Sequence, residues 1–208
     1  MQMKIPKKNI KAVFFDLDGV LIDSYSCWFV LFNKALEHFG FKPIDKKTFR
    51  RYWGKSTEED VRTFMPGKGV DDVRAYFQSR FPEYISQLVK DPDAVNLLHR
   101  LKQDRLKTAC LTNSHEDITK QILEYHDLNK YFDIIITADN VKRPKPAPDM
   151  VITACQKLKI MPEQAVFLGD TQSDKQAART AGCRFIGYKL KSSVTVNSLS
   201  EFYDLLST

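Results

Sequence analysis

An apolar run near the start of the chain carries two carboxylates. Ala12-Val13-Phe14-Phe15-Asp16-Leu17-Asp18-Gly19-Val20-Leu21-Ile22 has the composition of a buried central strand, with Asp16 and Asp18 inside it. A buried carboxylate is unfavourable unless it pairs, binds a metal or takes up a proton. A spacing of two places both side chains on one side of an extended chain. Gly19 can then supply the freedom for a sharp exit. The run is expected to be half of a metal and phosphoryl-transfer site at a strand end. The plainer alternative is a strand that stops at Leu17, followed by two solvated loop acids.

Beyond this run the chain has two textures. Short β-rich apolar runs at 11–17, 107–112, 133–138, 165–169 and 183–188 alternate with helical patterns at 115–126, 148–158 and 174–181. That alternation predicts an α/β fold, a parallel sheet covered by helices on both faces. Residues 24–90 are helical throughout. Trp28, Leu31, Phe32, Ala35, Leu36 and Phe39 recur at helical spacing, and Gly40 can stop that helix. Asp45 can cap a short helix carrying Phe49, Tyr52 and Trp53. Ser56 and Glu59 form a capping box for the next, and Val73, Tyr76 and Phe77 mark another. Asp91-Pro92 is expected to cap the helix of Val95, Leu98 and Leu101. The predicted organisation is a core of residues 1–22 and 91–208, interrupted by a small helical-bundle cap over 23–90. A length of 208 residues suits one such domain with an insert.

Composition removes several classes. Hydrophobic residues make 43% and charged residues 28% of the chain, ordinary for a folded protein. Four scattered cysteines show neither a Cys-x-x-Cys pair nor zinc spacing, which suggests reduced thiols in a cytoplasmic protein. The basic segment 1–11 precedes an apolar run too short, and too acidic, for a signal peptide or a membrane span. Net charge is +6, with basic residues thickest between 42 and 62. No helix-turn-helix or zinc-finger pattern accompanies them, so no nucleic-acid partner is expected. A positive field would favour the arrival of a small anion. Nothing separates a monomer from a homodimer.

Three further strand ends carry polar signatures, and ligands in open α/β sheets bind beyond the carboxyl ends of strands. After 107–112 comes Thr112-Asn113-Ser114, in which the strand-end hydroxyl can donate to a phosphate and Asn113 or Ser114 can cap the next helix. After 133–138 comes Arg143-Pro144-Lys145-Pro146-Ala147-Pro148-Asp149, in which flanking prolines restrict where Lys145 can go. After 165–169 comes Asp170-Thr171-Gln172-Ser173-Asp174. Asp174 there can stabilise a helix dipole or join Asp170 as an oxygen ligand for a hard cation such as Mg²⁺.

Together the four signatures make the chain resemble the haloacid dehalogenase-like (HAD) hydrolase superfamily. The resemblance is to subfamily I, with a helical cap after the first strand, in the phosphoglycolate phosphatase and β-phosphoglucomutase-like branch. It implies a Rossmann-like core and a mobile cap. It also implies roles: Asp16 as nucleophile, Asp18 as acid/base, Thr112 and Lys145 as phosphate contacts with Asn113 beside them. Asp16, Asp18 (through its backbone carbonyl), Asp170 and Asp174 would hold Mg²⁺. The expected activity is Mg²⁺-dependent hydrolysis of a small phosphorylated metabolite, phosphoglycolate-like or sugar-phosphate-like, through an aspartyl-phosphate. Two alternatives stand beside it: a hexose-phosphate phosphomutase and a non-catalytic phosphometabolite-binding protein. Mutases of this branch place a histidine early in the first cap helix, where this chain has Trp28. Arg50, Arg51 and Lys55 are the cap candidates for meeting an acidic substrate group, and Tyr25 and Trp28 can line the cleft.

Overall fold

Strand β1 (Ala12–Phe15) is wholly buried, with Ala12 and Phe14 in one apolar cluster and Val13 and Phe15 in another. That period of two is what a central strand covered on both faces requires. In the computed structural model, which describes residues 9–206, the chain continues through β2 (Ile22–Asp23) and four helices. These are α1 (Tyr25–His38), α2 (Lys46–Tyr52), α3 (Thr57–Phe64) and α4 (Val70–Arg80). It then runs through β3 (Val89–Lys90), α5 (Ala94–Gln103), β4 (Lys107–Leu111), α6 (Glu116–Tyr125), β5 (Ile134–Ile136) and α7 (Asp149–Leu158). The last elements are β6 (Ala165–Gly169), α8 (Gln172–Ala181), β7 (Arg184–Tyr188), β8 (Thr195–Val196) and α9 (Leu199–Leu206). The expected basic segment 1–11 lies outside the described residues up to residue 8, as do the outer ends of the expected core ranges.

Six strands form one parallel sheet in the order β5-β4-β1-β6-β7-β8. Buried residues of α5, α6 and α9 share the cluster of Val13 and Phe15, whereas α7 and α8 share that of Ala12 and Phe14. The fold is therefore the expected α/β arrangement with both faces covered. On α8, Ala177 and Ala178 are fully buried against the sheet, as small residues at a close helix–sheet contact should be. Strands are added outward from β1 to β5, and the order then reverses to β6. The carboxyl ends of β1, β4 and β6 consequently border one crevice.

Helices α1–α4 lie between β2 and β3, which pair antiparallel as Ile22↔Lys90 and Asp23↔Val89. Their shared core is largely aromatic: the Phe32 ring lies 5.5 Å from both Phe49 and Phe64. Asp45 caps α2 by accepting from the Thr48 N–H at 2.7 Å. Ser56 accepts from the Glu59 N–H at 3.4 Å, but the Glu59 side chain pairs with Lys55 at 3.0 Å instead of completing a capping box. Asp91 does not cap α5. That position belongs to Asp93, while Asp91 accepts from the Asp93 N–H (2.9 Å) and the Tyr188 hydroxyl (2.8 Å).

No helix among the described residues is long and apolar enough to cross a membrane. Four elements have no counterpart among those expected from the sequence: β2, β3, β8 and α9. The two-residue strands are too short to show a period. The α9 stripe, Leu199, Phe202, Tyr203 and Leu206, is legible at helical spacing.

Candidate active site

The first acidic run leaves the sheet earlier than its apolar character suggests. Strand β1 ends at Phe15, although the Asp16 N–H still donates to Leu168 O at 3.0 Å. The chain then turns, with Leu17 O accepting from both Leu21 and Ile22. Gly19 sits in this turn at φ +84, and a Cβ there would lie 2.2 Å from an Asp170 carboxylate oxygen. The strand has therefore ended before the two acids, yet both side chains line the same cavity. Asp16 faces the middle of the crevice. The Asp18 carboxylate accepts from Ser24 Oγ (2.5 Å), Trp28 Nε1 (3.1 Å) and Ser114 Oγ (2.8 Å), donors from both sides of the cleft.

At that middle, Asp16, Asp170 and Asp174 each offer a carboxylate oxygen within 4.8 Å of the others. Asp170 follows β6, and Asp174 enters from the first turn of α8. Asp174 Oδ2 also closes a capping box with Thr171, accepting from its N–H (3.0 Å) and its hydroxyl (2.5 Å). The other oxygen, Oδ1, has the Lys145 ammonium 2.7 Å away and no well-directed hydrogen bond. Lys145, 2% exposed, also reaches Asp16 Oδ1 at 2.9 Å and donates to Leu111 O at 2.8 Å. Its loop is fixed by Asn113, which accepts from Lys145 N–H (2.9 Å) and donates to Lys145 O (2.8 Å).

Three carboxylates against one ammonium leave the cluster short of positive charge. Burial, reinforced by Asp174, pushes Asp16 well above the ordinary carboxylate range, with Lys145 opposing. Burial and then Asp174 raise Asp170 to about 7. Burial alone would lower the Lys145 ammonium, but Asp16 and Asp174 outweigh it and hold it above its ordinary value. Asp170 Oδ1 is buried with no hydrogen-bond partner. An unmatched oxygen in an all-oxygen acidic cluster fits a hard divalent cation such as Mg²⁺.

Above the cluster the helices α1–α4 cover a cavity of about 90 Å³ lined by Asp16, Asp18, Thr112, Asn113 and Lys145 from below. Trp53 donates from Nε1 to Asp170 Oδ2 at 3.0 Å, Asn113 donates to Gly54 O at 3.1 Å, and Arg74 pairs with Asp139 at 2.9 Å. The Thr112 hydroxyl accepts from Ser114 N–H at 3.1 Å. Lys55 lines the cavity, but Arg50 and Arg51 do not: they line a separate outer groove, with the Arg50 guanidinium 4.6 Å from the Tyr25 ring centre. Ser114, Trp53 and Asp60 belong to the site region without having been singled out as site residues from sequence. Ser114 is part of the second signature, but the N-cap of α6 is His115, so neither Asn113 nor Ser114 caps that helix; Trp53 and Asp60 read locally as an apolar stripe and a helix-start acid.

Gly54 lies where the segment after α2 packs closely on Thr171. At φ +77, a Cβ there would stand 2.5 Å from Thr171 Cγ2. In a Gly54→Ala chain this segment should be forced off Thr171, with strain of about 1–3 kcal/mol and a fall in kcat/KM of roughly ten-fold. Steady-state kinetics tests this, and unchanged parameters would show that the site does not depend on the contact.

A family model described as haloacid dehalogenase-like hydrolase matches residues 13–188. The chain is 32% identical over 178 residues to a phosphorylated carbohydrates phosphatase of Thermotoga maritima, covering 83% of this chain and 82% of that one. It is 30% identical over 216 residues to a phosphoglycolate phosphatase of Chromobacterium violaceum, covering 96% and 97%. Among solved structures, CbbY of Rhodobacter sphaeroides in complex with phosphate superposes with a TM-score of 0.82 at 22% identity, covering 96% and 100%.

Proposed function

We propose, for a chain that belongs to the haloacid dehalogenase-like hydrolases, Mg²⁺-dependent hydrolysis of a small phosphorylated metabolite through an aspartyl-phosphate on Asp16. Phosphatase activity on such metabolites agrees with the relatives. The observation that carries the finer reading is the carboxylate trio with its unmatched Asp170 oxygen. Asp16, Asp170 and Asp174, with the Asp18 carbonyl, would hold the ion. When bound, the ion would offset the repulsion between the phosphate dianion and these carboxylates.

In this reading Asp16 attacks phosphorus, and the bond from phosphorus to the ester oxygen breaks. Asp18 gives its proton to the departing oxygen, then takes one from the water that cleaves the aspartyl-phosphate. Ser24, Trp28 and Ser114 fix the direction in which Asp18 points. Lys145 holds Asp16 in place and balances charge on the transferring group. The covering helices exclude water, which strengthens each of these interactions. The reading includes a core of 1–22 and 91–208 and a cap of 23–90, joined at the β2–β3 ladder. Four buried, unpaired cysteines suit a reducing compartment such as the cytoplasm.

Trp28 supports hydrolysis over mutase chemistry, because its indole N–H, and no imidazole, meets Asp18. The test is turnover of p-nitrophenyl phosphate, present with Mg²⁺ and reduced to background by a chelator. Mg²⁺ should also raise the melting temperature. At a hundred times its dissociation constant a native-state ligand adds about 2.7 kcal/mol, or ~5–10 °C for a chain of this size. No thermal shift and no metal dependence would remove the ion from the site.

A further inference from the structure

The part of the cavity that the reaction leaves unused is its cap side, and its charges are uneven. Trp28, Phe32, Phe49, Tyr52 and Phe77 supply an aromatic wall. Every basic side chain there already has a partner. Lys145 lies between Asp16 and Asp174, and Lys55 pairs with Glu59 at 3.0 Å. His115 has Nδ1 on Asp139 (3.0 Å) and Nε2 on the Thr57 hydroxyl (3.1 Å). One acid differs. Asp60, in the first turn of α3, lines the cavity, and among the described residues its carboxyl takes no hydrogen bond or ion pair.

We propose that Asp60 determines specificity, and that the substrate carries its phosphate on an uncharged, hydroxylated body rather than on a carboxylic acid. The inference rests on the phosphatase reading above and narrows its substrate class. A substrate carboxylate entering this cavity would meet an acid and, among the described residues, no unpaired cation. A substrate hydroxyl would donate to an oxygen that otherwise has no donor, and a hydrogen bond to such a group discriminates strongly once water is excluded. The aromatic wall would pack against the carbon faces of the same body. Arg50 and Arg51, the cations that would suit an acidic substrate, line the outer groove instead.

The experiment uses two matched pairs that differ only at the distal carbon: 2-hydroxyethyl phosphate against 2-phosphoglycolate, and glycerol 3-phosphate against 3-phosphoglycerate. The Mg²⁺-loaded full chain should favour the alcohol of each pair in kcat/KM by about ten-fold or more. In Asp60→Asn the ratio should collapse towards one, chiefly because the carboxylates improve. Asp60→Glu, which keeps the carboxyl, should retain the preference. Circular dichroism checks that both variants fold. A wild type that prefers the carboxylates overturns the inference, and so does an Asp60→Asn chain that loses both members of a pair equally. If the wild type fails even on p-nitrophenyl phosphate, the phosphatase reading falls first and takes this one with it.

Discussion

Asp16→Asn should abolish turnover, lowering kcat by ~10⁴-fold or more, the scale on which a lost nucleophile is felt. The amide oxygen is neutral and cannot form an acyl phosphate with the ester oxygen leaving. No phosphoenzyme should be trapped by acid quench. The substitution keeps shape and can still present an oxygen to Lys145, now 2.9 Å from Asp16. Its effect on stability should run the other way. Asp16 is 4% exposed, and burial together with Asp174 disfavours its charge. A neutral side chain relieves that repulsion, so the metal-free variant should melt at or above the wild-type temperature. It should also gain less from added Mg²⁺, having lost one ligand. Lost activity with kept stability separates chemistry from folding, and turnover within ten-fold of wild type would exclude Asp16 as nucleophile.

The residues of this cluster were legible in sequence for a shared reason. Asp16, Asp170 and Lys145 each follow an apolar strand of a parallel sheet, and such a sheet delivers its strand ends to one rim. Asp174 follows Asp170 by one helical turn. Local pattern therefore stood in for tertiary structure. It could not do so for helices α1–α4. Which face of α2 meets the core depends on Phe49 packing against Phe29 and Phe32, and that packing turns Arg50 onto Tyr25. Trp53 looks like the end of an apolar stripe, yet it sits past α2 and reaches Asp170, 117 residues away. Asp60 has the spacing of an ordinary helix-start acid. Its lack of a partner is visible only once α3 is set over the crevice. The turn after β1 misled for another reason: an apolar run continues through Leu17 and Leu21 although the strand does not, because both side chains are buried in the turn itself.

Lys145→Met should be the most destabilising change in the cluster. Its ammonium is the cation placed between Asp16 and Asp174, at 2.9 and 2.7 Å. Met fills nearly the same volume, so the loss is one of charge. Removing one partner of a buried ion pair costs about 3–5 kcal/mol, a fall of ~6–20 °C in melting temperature at this chain length. The sign of the pH dependence comes from Asp16, whose folded value already lies well above 3.8 against the pull of Lys145. Without that pull the folded value rises further, while the unfolded value stays near the ordinary one. Between the two, the folded variant keeps protons that the unfolded chain releases, so its stability falls as pH rises through that window. The wild-type to variant gap should therefore be wider at pH 8 than at pH 5 in metal-free melts. A gap of equal size at both would assign the loss to packing. Activity should drop as well, by ~10²-fold or more, because a fixed charge aimed at the transferring group is gone. Mg²⁺ should restore part of the stability, since it supplies positive charge to the same carboxylates, but less of the rate, since the ammonium holds Asp16 in its direction of attack.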